Sequence, residues 1–181
     1  MRIINESKLD QVIRRYKNKV DTSIVDYPLA FCLAQKTLKD AILVAAKATD
    51  ENGKTHFHQR RIGRTPLANF AEKLVSFESE IAEASDFDSL YVIVKKASTE
   101  GINDLTVYDT TFRIGQYRNL DPDKIYLHGA TRQGAENLLG DLGNRVFIER
   151  NELPALFQDE SLLPSDVADI LCNYKEELLR V

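Results

Sequence analysis

The sequence predicts a mainly α-helical fold of six or seven packed helices, with at most one short two-stranded β-ribbon. Three observations carry this. Apolar residues recur at three- and four-residue spacing in successive segments, which marks one buried face per helix. Cap residues, prolines and glycines stand at the ends of those segments. No alternation of strand and helix runs along the chain, so a doubly wound sheet is not indicated.

Each element has its own signature. Leu9, Val12, Ile13, Tyr16 and Val20 share one helix face, and Val20-Asp21-Thr22-Ser23 ends that helix. Asp26-Tyr27-Pro28 starts a second, with proline where its missing N–H costs nothing. It is expected to run to about Thr49. Its stripe is Leu38, Ala41, Ile42, Ala45 and Ala46, and Leu29, Phe31 and Leu33 widen the apolar surface, which predicts a central, buried helix. Thr65-Pro66 opens a third helix with the core face Leu67, Phe70, Ala71, Leu74, Phe77 and Ile81. Ser85 caps a fourth, with Phe87, Leu90, Tyr91 and Val94 inward. Asp104 caps a fifth, which contains Leu105, Tyr108 and Phe112. Thr131 caps a short helix that stops at Gly140. A last helix opens at Ser165 with Val167, Ile170, Leu171, Tyr174 and Leu178 inward. The brief apolar runs Ile125-Tyr126-Leu127 and Val146-Phe147-Ile148 are candidates for the ribbon.

The chain has 181 residues, and a domain typically takes about 100–200. One helical domain over 1–181 is therefore expected. A chain of this length buries roughly 70 % of its unfolded surface without help from metals or disulfides. Cys32 and Cys172 sit inside apolar helical patterns and read as buried thiols of a reducing compartment. The opening MRIINESKLDQVIRR lacks the apolar run of a signal peptide, and no stretch has the length of a membrane span. A cytoplasmic protein without a membrane partner is the expectation. The net charge of −4 excludes a globally basic nucleic-acid binder but not a local basic face. No cofactor motif is present, so no cofactor is implied.

Two segments read x-Gly-apolar-polar-x-x-x-apolar, and a helix follows each: Glu100-Gly101-Ile102-Asn103-Asp104 onward, and His128-Gly129-Ala130-Thr131-Arg132 onward. Both resemble the helix-hairpin-helix motif of DNA-binding proteins. Asn103 and Thr131 replace its second glycine, and Glu100 and His128 its proline. The resemblance covers about a fifth of the chain and implies that turn amides at Gly101 and Gly129 face a backbone phosphate, with Thr131 and Arg132 beside the second. The alternative is that these glycines are an ordinary helix stop and an ordinary turn.

Lys54-Thr55-His56-Phe57-His58-Gln59-Arg60-Arg61-Ile62-Gly63-Arg64 is the one strongly basic run, and it holds no acid. His58, Arg60, Arg61 and Arg64 are candidate phosphate contacts, and Phe57 or a histidine can stack on a base. The alternative is a solvated loop whose arginines pair with Glu72, Glu78 and Glu80. In an extended strand His56 and His58 would also point to one side and share a metal, completed by Asp109 or His128; the ligand count is too low to assign one.

Asp109 and Arg113 stand four residues apart, the spacing of an ion pair on one helix face. A pocket of Asp109, Arg113, His128 and Arg132 would let the aspartate orient the histidine, which would shuttle a proton, so Asp109 and His128 are candidate catalytic residues. The alternative is a buried structural pair. Asp-Thr followed by arginine also resembles the aspartate segment of helix-hairpin-helix DNA glycosylases. Asp109 stands too near Gly101, and neither hairpin carries a lysine, so that activity is not carried over.

Three functions remain. The first is association with nucleic acid through the glycine hairpins and the basic loop. The second is an enzyme on a small phosphorylated or nucleotide-like ligand. The third is a protein-interaction module without chemistry, whose partner the sequence does not identify.

Overall fold

Three of the seven helices expected from sequence each break once, so ten helices and one β-ribbon form among the described residues. The computed structural model describes residues 4–19 and 26–181; Val20 and the helix stop at 20–23 lie outside them. The chain divides into two units: a terminal one from Met1–Ile24 with Asp123–Val181, and a middle one from Val25–Pro122.

In the terminal unit, α1 (Glu6–Lys19) buries Leu9, Val12 and Ile13, the predicted stripe. The two apolar runs form the ribbon: β1 (Ile125–Tyr126) lies antiparallel to β2 (Phe147–Ile148), with Ile125 opposite Ile148. Between them runs α8 (Gly129–Leu139), and after two 3-10 turns come α9 (Pro164–Asn173) and α10 (Lys175–Leu178). The final predicted helix therefore breaks at Tyr174, which caps α10. Ile125, Leu138, Ile148, Phe157, Val167, Ile170 and Leu171 fill the core with the α1 residues. Polar ties join parts distant in sequence. Tyr16 Oη donates to Asp166 at 2.8 Å, and Lys17 Nζ to Asp159 and Ser161 at 2.8 and 2.7 Å.

The middle unit runs α2 (Tyr27–Leu33), α3 (Leu38–Lys47), α4 (Arg64–Val75), α5 (Glu78–Glu83), α6 (Phe87–Ala97) and α7 (Asp104–Arg118). The expected second helix is two helices. Thr37 is extended, and its Oγ1 accepts from the Asp40 amide at 3.1 Å, which starts α3 afresh. Leu33 is consequently exposed, whereas Ala41, Ile42, Ala45 and Ala46 of α3 are buried as predicted, and Val44 joins them. The third predicted helix breaks at Ser76–Phe77 and places Ile81 in α5.

The caps move by one to three residues. Gly63 precedes α4 rather than Thr65, Asp86 caps α6 rather than Ser85, Asn103 caps α7 rather than Asp104, and His128 precedes α8 rather than Thr131. The last helix begins at Pro164 rather than Ser165. Asp86 and Asn103 win because their side-chain oxygens reach the amide three residues on, at 2.7 and 2.9 Å. Helix α7 is buried on most of its circumference, Thr106, Thr110, Thr111 and Arg113 included. Packing therefore keeps a threonine-rich helix helical, as its composition required.

No helix among the described residues is long and apolar enough to cross a membrane. Cys32 and Cys172 are both thiols, and burial pushes the Cys32 thiol up to about 12.

Candidate functional site

The basic run and the α7 aspartate, 50 residues apart, meet in the middle unit. After α3, Asp50 Oδ1 accepts from the amides of Asn52 and Lys54, both at 2.9 Å. Thr49 bridges Thr55, and the His56 amide donates to Ala48 O at 2.8 Å. The chain then turns, with Gln59 N donating to His56 O at 3.1 Å. Gln59 is fully buried, and its Nε2 donates to Asp109 Oδ2 at 2.6 Å. His58 Nδ1 lies 3.4 Å from the same oxygen. Asp109 thus anchors the loop, which explains a glutamine buried inside a basic stretch.

The α7 ion pair expected from the four-residue spacing does not form. Arg113, 1 % exposed, instead donates through Nε and Nη2 to Asp26 Oδ2 at 3.3 and 3.2 Å, while Asp109 takes Gln59 and His58. Asp26 also caps α2, accepting from Leu29 N at 2.9 Å. Three buried polar atoms near this loop have no hydrogen-bond partner: Gln59 Oε1, His56 Nδ1 and Arg113 Nη1.

Burial, then the nearby Arg113 charge, lowers the His56 pKa. An unfolded chain therefore takes this proton first as the pH falls below about 6.5. Stability is full above that value and declines below it. His56→Gln should flatten the fall in stability below about pH 6.5, followed by urea unfolding. An unchanged pH profile would remove His56 as the cause.

On its outer side the loop borders an open cleft of about 460 Å³, lined by Asn52, Gly53, Lys54, Thr55, Gln59, Arg60, Gly63 and Arg64. Lys54, Arg60, Arg61 and Arg64 are all exposed. The expected alternative, arginines paired with Glu72, Glu78 and Glu80, is not what forms. Glu80 pairs with Lys96, and none of the four cations has an ion pair among the described residues. Helix α4 opens at Gly63 without a side-chain cap and without an acid in its first turn. Gly101 (φ +86°) lies beside this start: a Cβ there would come within 3.6 Å of Pro66.

The glycine turns differ in what they offer. At the first, Ile102 N donates to Thr99 O at 3.1 Å, Asn103 caps α7, and Asp104 pairs with Lys95. At the second, Gly129 (φ +42°) opens α8 with no side-chain cap, and the amides of Thr131 and Arg132 reach back to His128 O. His128 is buried. Thr131 Oγ1 donates to Ala168 O at 3.4 Å. Arg132 holds the carbonyls of Gly143 and Arg145 and lies 3.4 Å from Glu136. Asp109 and Arg113 belong to the middle unit and His128 and Arg132 to the terminal one, so the four converge within neither.

The His-x-His segment is a turn and not a strand, which sets the two imidazoles edge to face with centroids 4.8 Å apart. Among the described residues no three His, Cys, Asp or Glu side chains are grouped to hold a metal ion. Sequence reasoning missed Gln59 and Asp26, the two groups that position Asp109 and Arg113. A glutamine flanked by cations and a cap aspartate carry no distinguishing local signal. No protein-family model, curated protein or solved structure matches the chain.

Proposed function

We propose that this protein binds the phosphate backbone of nucleic acid through the middle unit's basic loop. The observation that carries the reading is the set of four exposed cations with no carboxylate partner among the described residues, three of them around one cleft, in a chain of net charge −4. Paired surface cations contribute little to binding, whereas unpaired ones attract phosphates and release condensed counterions. The Asp50 and Asp109 anchors hold the loop in shape without neutralising its outer face. Gly101 beside Pro66 extends the surface toward the first glycine turn. The Gly129 turn is the matching feature of the terminal unit.

Affinity for short oligonucleotides should fall steeply as salt rises. Changing Arg60 and Arg61 together to Ala should weaken binding at low salt and lower the slope of log affinity against log salt by about two. No binding at low salt, or a slope indifferent to both arginines, would end this reading.

A second reading is favoured by the three partnerless atoms behind the loop: a small phosphorylated or nucleotide-like ligand, with Asp109 and His58 in place of the expected Asp109 and His128 pair. Saturable one-to-one binding of a nucleoside monophosphate, lost in Gln59→Ala but kept in Arg61→Ala, would support it over the polymer.

A further inference from the structure

We propose that the basic loop takes a single strand and stacks one of its bases on Phe57; this rests on the backbone-binding reading above. The chain has eight phenylalanines, and Phe57 alone is exposed, at 49 %. The others are buried or half-buried. An isolated exposed phenylalanine is common enough on a surface, but this one is held in place. It stands second in the turn from His56 to Gln59, and both ends of that turn are fastened: His56 N to Ala48 O at 2.8 Å, and the buried Gln59 to Asp109 at 2.6 Å. The imidazoles of His56 and His58 support the ring, with centroids 4.5 and 4.1 Å away.

Phe57 also sits two residues from Thr55 and from Gln59, both of which line the cationic cleft. A flat apolar face and cations without an ion pair among the described residues, carried on one loop, match two chemistries at once, an aromatic base and the phosphates flanking it. Stacking of this kind tolerates any sequence, because every base has a π-face. It does require that the face be available. In a duplex each base is covered by its neighbours, whereas an unpaired strand can splay one out. Single-stranded nucleic acid is therefore the occupant that uses the whole turn.

The test compares three fluorescently labelled probes against the full chain by anisotropy: a single-stranded oligonucleotide of roughly 12 nucleotides, its matched duplex, and an abasic strand of the same length. The single strand should bind most tightly. Phe57→Ala should weaken it roughly 5- to 150-fold and leave duplex and abasic strand unchanged. Phe57→Trp should retain the wild-type preference, which excludes a folding defect. Equal binding of all three probes, or equal losses for all three in Phe57→Ala, would overturn the stacking proposal. If changing Arg60 and Arg61 together to Ala still lowered the salt slope by about two, the backbone reading would survive that result. Failure of every probe to bind at low salt would overturn both.

Discussion

Gly134→Ala should cost the protein about 3 kcal/mol, despite alanine being the better helix former by about 1 kcal/mol. Gly134 lies in α8 where α9 crosses it. An added Cβ would stand 2.0 Å from the Leu171 carbonyl oxygen and 2.7 Å from its carbon. These are backbone atoms, so no rotamer change relieves the overlap. The two helices must separate, and the core of Leu138, Val167 and Leu171 around them must open. For a chain of this length the loss corresponds to a fall in Tm of roughly 6–12 °C. Thermal unfolding followed by circular dichroism checks it, and an alanine variant as stable as the parent would show that the helices do not approach so closely.

Asp26→Ala should be the most damaging change in the middle unit, at about 3 kcal/mol, and Arg113→Met should cost well under half as much. Arg113 is 1 % exposed and takes two hydrogen bonds to Asp26, whose side chain is 31 % exposed. Removing the aspartate leaves a guanidinium buried without its counter-charge and strips the cap from α2. Removing the arginine leaves a carboxylate that water can reach, and methionine fills much of the vacated space. The partial exposure of Asp26 puts the aspartate estimate at the lower end of values for buried pairs. Urea unfolding of the two variants and of the double variant gives the order. If Arg113→Met were the more costly of the two, the guanidinium would be held chiefly by groups other than Asp26.

The helices with strong stripes were readable residue by residue. Leu67, Phe70, Ala71 and Leu74 are all buried, as are Val167, Ile170, Leu171 and Leu178. The ribbon was readable too, because two apolar triplets of matching length had no other element to join. The breaks were harder. Thr37 interrupts a pattern that stays apolar on both sides, and only its cap to Asp40 shows that the chain turns there. Tyr174 is buried on the predicted face and yet ends α9. Periodicity reports which residues are inward and is blind to a change in helix direction that keeps them inward.

The site divides along the same line. The acid-free basic run, the solitary Phe57 within it and the Asp109–Arg113 spacing are local facts, open to anyone reading the chain. Their assignments are not local. Four residues of separation permitted Asp109 to pair with Arg113, but burial of the guanidinium required a carboxylate from elsewhere in the chain, and Asp26, the cap of α2, supplies it from 87 residues away. Asp109, released from that duty, clamps the loop through Gln59. Helix faces and loop charge follow from neighbours along the chain. The choice of ion-pair and hydrogen-bond partners depends on which faces meet and how much water each charge loses when they do.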